Sequence, residues 1–211
     1  MEQKQPEEAS FLTDETLMQR YLRGENQAFN SLYTRHKPAL LGFIGHLCAG
    51  RLPHERVEEI FQEVWLNLIQ GAERYVPHVN GASFRTYLYT LAHRRTIDGF
   101  RAAGATAKVI ADVQAWDGDD AGSDFGSNIA QGIASRVDEP DTQAVAQQQS
   151  AAIMQAVAAL PAPQREAFLL SEDAGMTVEA IAQATNVNVE TAKSRLRYAV
   201  AKLRDALKDY L

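Results

Sequence analysis

Apolar positions along the chain recur at three-to-four-residue spacing and nowhere alternate, so the pattern predicts helices and no strands. Between residues 14 and 46 they fall at Leu17, Tyr21 and Leu22, then Phe29, Leu32 and Tyr33, then Leu40, Phe43 and Ile44, with Leu47 just beyond. Gly24 and Pro38 punctuate this stretch. Pro38 has no amide to donate, which places it in the first turn of a third helix or at a kink in a longer one. Val57, Ile60, Phe61, Val64, Trp65 and Leu68 then form one face of a strongly amphipathic helix over 55–69, closed by Gly71. Its polar side carries Glu58, Glu59, Gln62 and Glu63. A loop over 73–82, with Pro77, Asn80 and Gly81, leads to Ser83, whose hydroxyl suits the cap of a long helix reaching about residue 101.

The pattern then lapses. Residues 102–150 are dominated by Gly, Ala, Ser, Asp and Gln, with Trp116 and Phe125 as the aromatics. So long a stretch without periodicity does not fit inside one compact domain. The expected organisation is a disordered N-terminus at 1–10, a helical domain at 11–102, a linker at 103–145 and a second helical domain at 146–211. The Ala- and Gln-rich stretch 143–159 is a helix candidate at the edge of that second domain. Ile153, Val157 and Leu160 end one helix before Pro161 and Pro163, residues 164–170 give another, and Thr177 opens a third. Glu179 and Glu190 lie near the starts of successive helices, where negative charge favours the helix dipole. The expected fold class is all-α: two small helical domains joined by a long flexible acidic linker.

Composition narrows the function classes. With 211 residues, 45% of them hydrophobic, the chain can bury ordinary cores. Cys48, the single cysteine, has no partner for a disulfide or a thiolate metal site and reads as a packed core thiol. No run approaches the roughly 20 apolar residues a membrane helix needs, and the acidic start with Pro6 lacks an apolar signal core. The expected address is therefore the cytoplasm. His36, His46, His54, His78 and His93 lack companion ligand spacing. Residues 117–122 partly match a calcium loop, but its twelfth position is Asn128 rather than Glu. With no phosphate-binding glycine loop and no nucleophile–base signature, no catalytic residue, metal or cofactor is expected, and an enzyme is not expected.

Charge is segregated. The net charge of -6 argues against a protein that coats nucleic acid nonspecifically, since phosphate binding needs concentrated Lys and Arg. Yet residues 102–150 hold eight acids and two bases, whereas 189–204 hold five bases (Lys193, Arg195, Arg197, Lys202, Arg204) and one acid, Glu190. Several different partner surfaces on one chain are implied.

Residues 176–199 read as a short helix, a turn and a longer basic helix. Val178, Ile181 and the small Ala182 face inward, Val187 fills the turn, and Leu196 and Val200 anchor the second helix. Glu190, Thr191, Lys193, Ser194, Arg195 and Arg197 are left to face outward, at a spacing that lets the helix N-terminus enter a major groove. The turn 185–188 lacks the usual Gly, although Asn also tolerates the left-handed conformation. A helix-turn-helix of this kind does not by itself distinguish repressor, activator and initiation factor.

Two further stretches do. Residues 57–66, Val-Glu-Glu-Ile-Phe-Gln-Glu-Val-Trp-Leu, and 83–101, Ser-Phe-Arg-Thr-Tyr-Leu-Tyr-Thr-Leu-Ala-His-Arg-Arg-Thr-Ile-Asp-Gly-Phe-Arg, together with the C-terminal helix-turn-helix, resemble the extracytoplasmic-function (ECF) sigma factors of the sigma-70 family. The resemblance covers nearly the whole chain except the first ten residues and the linker. It implies that 11–102 is a region 2 domain and 146–211 a region 4 domain. Glu59, Gln62, Glu63 and Trp65 hold the positions that dock on the polymerase clamp. The loop 74–82, with Arg74, His78 and Asn80, matches the loop that reads an extruded promoter base. Arg85, Tyr87, Arg94, Arg95 and Arg101 lie along the strand-holding helix of the -10 element, with Phe84 and Leu88 as packing and with Tyr87 and Tyr89 open to either role. Glu190, Thr191, Lys193, Ser194, Arg195 and Arg197 fall on the helix that reads the -35 element.

The implied partners are core RNA polymerase, promoter DNA and an anti-sigma factor. Tyr87 stands where Trp is frequent in the family and His93-Arg94 where Arg-Asn is frequent, and the linker is long. The other readings are a sigma-like adaptor that sequesters a regulator, and a conventional dimeric repressor. The repressor leaves 57–101 unexplained.

Overall fold

The structure, a computed structural model, describes residues 12–75, 83–104 and 140–208. Among these the long regular elements are eight α-helices, with no strand: α1 (Asp14–Leu22), α2 (Asn26–Cys48), α3 (His54–Gln70), α4 (Phe84–Ala102), α5 (Pro140–Ala159), α6 (Ala162–Glu172), α7 (Val178–Thr185) and α8 (Val189–Leu207). A 3-10 turn at Ala72–Arg74 follows α3. Among the described residues no helix is long and apolar enough to cross a membrane.

Helix α1 starts where Thr13 accepts a hydrogen bond from the Thr16 amide, which satisfies one of the helix's unpaired first-turn donors. Gly24 takes a φ of 95°, so the chain can turn sharply into α2. Pro38 lies inside the 23-residue α2, resolving the two possibilities in favour of the longer helix. The carbonyl that loses its donor belongs to Thr34, and both residues are exposed, so water can replace the bond.

Helices α1 to α4 bury one apolar core. Leu32, Leu40, Phe43 and Ile44 of α2 meet Ile60, Val64 and Leu68 of α3 and Phe84, Leu88 and Tyr89 of α4. Cys48 is buried there as expected, and burial pushes its thiol up to about 11. Gly99 marks the close approach of α4 to α3, because a Cβ there would sit 2.9 Å from Ile60 Cδ1.

Helix α1 is tied to α2 by Asp14, which accepts from Arg35 at 2.5 Å and pairs with His36 Nε2 at 2.8 Å. Burial raises the Asp14 carboxyl, but His36 and Arg35 outweigh it and hold the group below its ordinary range. A carboxyl depressed on folding contributes stability that is complete above its unfolded pKa of about 4 and is lost as pH falls through the folded value. Asp14→Asn is therefore expected to lower Tm at neutral pH by a few degrees, with the gap to wild type closing in acid. Thermal melts across pH check this; a gap that stayed constant into acid would mean the pairing contributes nothing.

The C-terminal helices gather around Leu160, Ala167, Leu170, Ile181, Ala192, Ala199 and Leu203. Helix α5 begins at Pro140, inside the stretch assigned to the linker. Thr177 caps α7 and Asn188 caps α8, accepting from the Ala180 and Thr191 amides. Between them Asn186 closes α7 at φ 56° and ψ 47°, the left-handed role for which Asn substitutes for Gly. The buried line of α8 differs from expectation. It runs through Ala192, Ala199 and Leu203, while Leu196 and Val200 are half-buried, because the alanines allow close helix approach and displace the bulkier side chains to its flank.

Arg165 is 1% exposed. It donates to the Ala158 and Leu160 carbonyls at 3.0 Å each, covering the C-terminal end of α5 where unpaired carbonyls collect. Burial, with Arg51 nearby, pushes this guanidinium down to about 10. The two groups of helices also touch, α5 and α6 packing on α2 and α7 on α4.

Candidate polymerase and nucleic-acid interface

The outer side of α3 is built as its periodicity demands. Val57, Ile60, Phe61, Val64, Trp65 and Leu68 point into the core, so Glu59 and Gln62 are left exposed and Glu63 half-buried. Leu66 and Ile69 are also exposed, at 54% and 42%, and place apolar atoms beside the carboxylates. Arg56 donates to Glu59 at 2.9 Å and to Glu63 at 3.0 Å, and these contacts, Glu59 first, raise its guanidinium pKa against burial. The sequence reading passed over Arg56, although its position one and two turns before the two acids was the available signal.

Trp65, grouped with those exposed residues by resemblance, is 4% exposed. Its ring lies 5.0 Å from Tyr33 and 5.6 Å from Phe29. The indole belongs to the apolar face because it falls in register with Phe61 and Leu68, so it holds the helix in place and presents little surface.

Along α4 the basic side chains have separate surroundings. Arg94 and Arg101 are exposed, Arg101 pairing with Asp98 at 3.0 Å. Arg95 donates to Asn67 Oδ1 at 2.9 Å, and Asn67 in turn donates to the Glu63 carbonyl at 2.7 Å. Arg85 lies over the Tyr89 ring and donates from Nε to the Asp173 carbonyl at 3.0 Å. Burial raises the Asp173 carboxyl even though His46 and Arg85 oppose it.

Phe84 and Leu88 are both fully buried, as expected for packing, and so is Tyr89. Tyr87 is half-buried with its ring 5.3 Å from Tyr75. Of the preceding loop, Arg74 ends the 3-10 turn, while its side chain, His78 and Asn80 lie outside the described residues. His93 is buried and its Nε2 meets the Glu166 carboxylate. Nothing in the sequence pointed to this pairing, since 73 positions separate the two.

On α8 the Asn188 cap leaves Val189, Glu190 and Lys193 exposed at the helix start, with Thr191, Ser194, Arg195 and Arg197 half-buried. Arg197 donates to the Tyr198 hydroxyl at 3.3 Å and stacks on its ring. Arg195 turns toward the other half of the molecule, where it shares a cleft of about 430 Å³ with Arg94 and Arg101 of α4. The structure thus brings together three residues that sequence reasoning assigned to two different DNA elements. Glu59, Gln62 and Glu63 remain on a separate face. Among the described residues no group of His, Cys, Asp or Glu could hold a metal ion.

Comparison with known proteins gives two family matches: Sigma-70 region 2 over residues 32–106 and Sigma-70, region 4 over residues 150–203. The ECF RNA polymerase sigma factor SigK of Mycobacterium ulcerans is 28% identical over 193 residues, covering 90% of this chain and 91% of that one. The ECF RNA polymerase sigma factor RpoE of Cereibacter sphaeroides is 28% identical over 194 residues, covering 91% and 94%. Among solved structures, CnrH in complex with the cytosolic domain of CnrY matches with a TM-score of 0.57 at 18% identity, over 93% of this chain and 97% of that one. The sigma factor RpoE bound to the anti-sigma factor NepR from Bartonella quintana matches with a TM-score of 0.55 at 21% identity, over 85% and 96%.

Proposed function

The chain belongs to the ECF sigma factors of the sigma-70 family, and from that premise we propose how its surfaces divide the work of promoter-specific transcription initiation. Residues 11–102 act as region 2, which binds core RNA polymerase and recognises and opens the -10 element. Residues 146–211 act as region 4, which recognises the -35 element. The observation that carries this reading is the presence in one molecule of two chemically distinct surfaces. One is an exposed acidic and apolar face on α3 (Glu59, Gln62, Leu66) and the other a capped helix with Glu190 and Lys193 exposed at its N-terminus.

The first surface suits a basic helical partner. Carboxylates beside apolar atoms supply both electrostatic steering and desolvated contact. The second suits a major groove, where a helix N-terminus can bring Lys193, Ser194 and Arg195 to base edges and phosphates. Arg94, Arg95 and Arg101 supply cation density along the -10 strand, offsetting part of the stacking energy lost on opening. The site of action is the cytoplasm, with core polymerase and promoter DNA as partners. The similar sigma factor RpoE, bound to the anti-sigma factor NepR, supports an anti-sigma protein as a further partner.

Purified chain added to core polymerase should yield transcripts from a cognate promoter, and failure to associate with core would sink the proposal. Arg195→Ala is expected to leave core binding intact and to weaken promoter binding about 5- to 100-fold, the cost of losing one base or phosphate contact. Gel-shift titration of the holoenzyme reads the effect. Equal loss of core binding would contradict the division of labour.

A further inference from the structure

The cleft between α4 and the C-terminal helices holds more positive charge than its contacts use. Five guanidiniums line it, those of Arg51, Arg94, Arg101, Arg165 and Arg195, against the two carboxylates of Asp98 and Glu166. Both carboxylates are engaged, Asp98 by Arg101 and Glu166 by His93. Among the described residues no carboxylate forms an ion pair with Arg51, Arg94 or Arg165. Behind the wall, Nε of Arg165 and Nδ1 of His93 are buried without a partner, out of reach of a ligand in the cleft.

Each of these facts has an electrostatic cost. A buried donor without an acceptor loses its hydration unrepaid, and the Arg165 guanidinium is lowered first by its burial and then by the like charge of Arg51, with Cys48 and Glu166 opposing. Helix α6 adds to the same sign of field. Its N-terminal residues Ala162 and Pro163 line the cleft, its first turn contains no acidic residue, and no side chain caps it.

We propose that this cleft is a binding site for a compact phosphate-bearing anion, held by Arg51 and Arg94 from one half of the molecule and Arg195 from the other. A guanidinium fork matches phosphate oxygens bidentately, and a space of about 430 Å³ is of small-molecule size. A duplex, whose major groove alone is about 12 Å wide, does not enter it. Because the ligand touches both halves, its binding favours the closed packing of α7 on α4, in which Arg94, Arg101 and Arg195 face one another across the cleft.

The test uses the full chain with inorganic pyrophosphate as probe, followed by calorimetry and by thermal melts at constant ionic strength. Saturable binding and a rise in Tm beyond that given by matched sodium chloride are expected. Arg51→Gln should weaken binding about tenfold or more, while leaving core association and transcription at wild-type levels, since Arg51 lies outside both proposed interfaces. Arg51→Lys, which keeps the charge but loses the fork, should weaken binding in a chain that still folds. Arg23→Gln, far from the cleft and exposed, should change nothing.

Binding equal to wild type in Arg51→Gln, equal losses in Arg23→Gln, or no Tm rise beyond the salt control would each overturn the proposal. So would a single-stranded oligonucleotide that binds in an Arg51-dependent way while pyrophosphate does not, because the site would then serve nucleic acid. None of these outcomes alters transcription by the wild-type chain, so they leave the initiation reading to its own test.

Discussion

Trp65→Ala is expected to cost about 3–5 kcal/mol of folding stability, the range for removing a large buried aromatic. The reason is the packing of the indole against Tyr33, Phe29 and Phe61, which truncation would replace with a cavity. Trp65→Phe should behave differently. The indole Nε1 is buried without a hydrogen-bond partner, so phenylalanine forfeits no bond and removes an unsatisfied donor while leaving a smaller void. Its expected effect is a modest loss of Tm with core binding intact. Chemical denaturation measures the first property and a core-polymerase titration the second. If Trp65→Phe folded normally yet bound core as poorly as Trp65→Ala, the indole would be a contact residue.

The second large effect is expected from Glu63→Arg, which should weaken core binding about tenfold or more, near 1.4 kcal/mol. Two consequences combine. The acidic face of α3 loses one charge and gains the opposite one, which opposes association with a basic partner. Arg56 also loses its 3.0 Å partner and meets a like charge instead, so the remaining Glu59 pair is disturbed. The double substitution Arg56→Glu with Glu63→Arg restores the local pair while keeping the altered face. It should regain stability without regaining full core affinity. Recovery of both would place the whole effect in the α3 pair and remove Glu63 from the interface.

The helices and their order were legible because each apolar face repeats at helical spacing over two or more turns. Val57 through Leu68 is the plainest case, and the observed bounds of α3 differ from the expected ones by a residue at each end. Caps were legible for a related reason: Ser83 and Thr177 act on amides three residues away, within reach of local reasoning, whereas Asn188 read only as part of the turn and is shown as a cap by the fold. The left-handed turn at Asn186 likewise followed from its side chain.

What the sequence concealed is long-range. That Trp65 faces inward and Glu63 outward followed from helical register, but the Phe29 and Tyr33 rings on which the indole packs come from another helix, and no local pattern names them. The contacts of Arg85 with Asp173 and of His93 with Glu166 join segments that no local pattern relates. The buried line of α8 was misplaced because alanine carries a weak hydrophobic signal and yet packs closest. Arg165 drew no role from the sequence, where a charge is ordinarily solvated, while in the fold it seals the end of α5.

The contact between α3 and α4 also has a metrical consequence. Gly99 lets the helices touch, and Asn67 clasps both the Glu63 carbonyl and the Arg95 guanidinium. The acidic face and the arginine row are therefore packed on one frame, so that if core polymerase seats the first as proposed, the offset to the second is preset. On the proposed division of surfaces the protein works as a ruler, and a side chain at Gly99 too large for the flexible end of Ile60 to give way to is expected to move the transcript's first nucleotide.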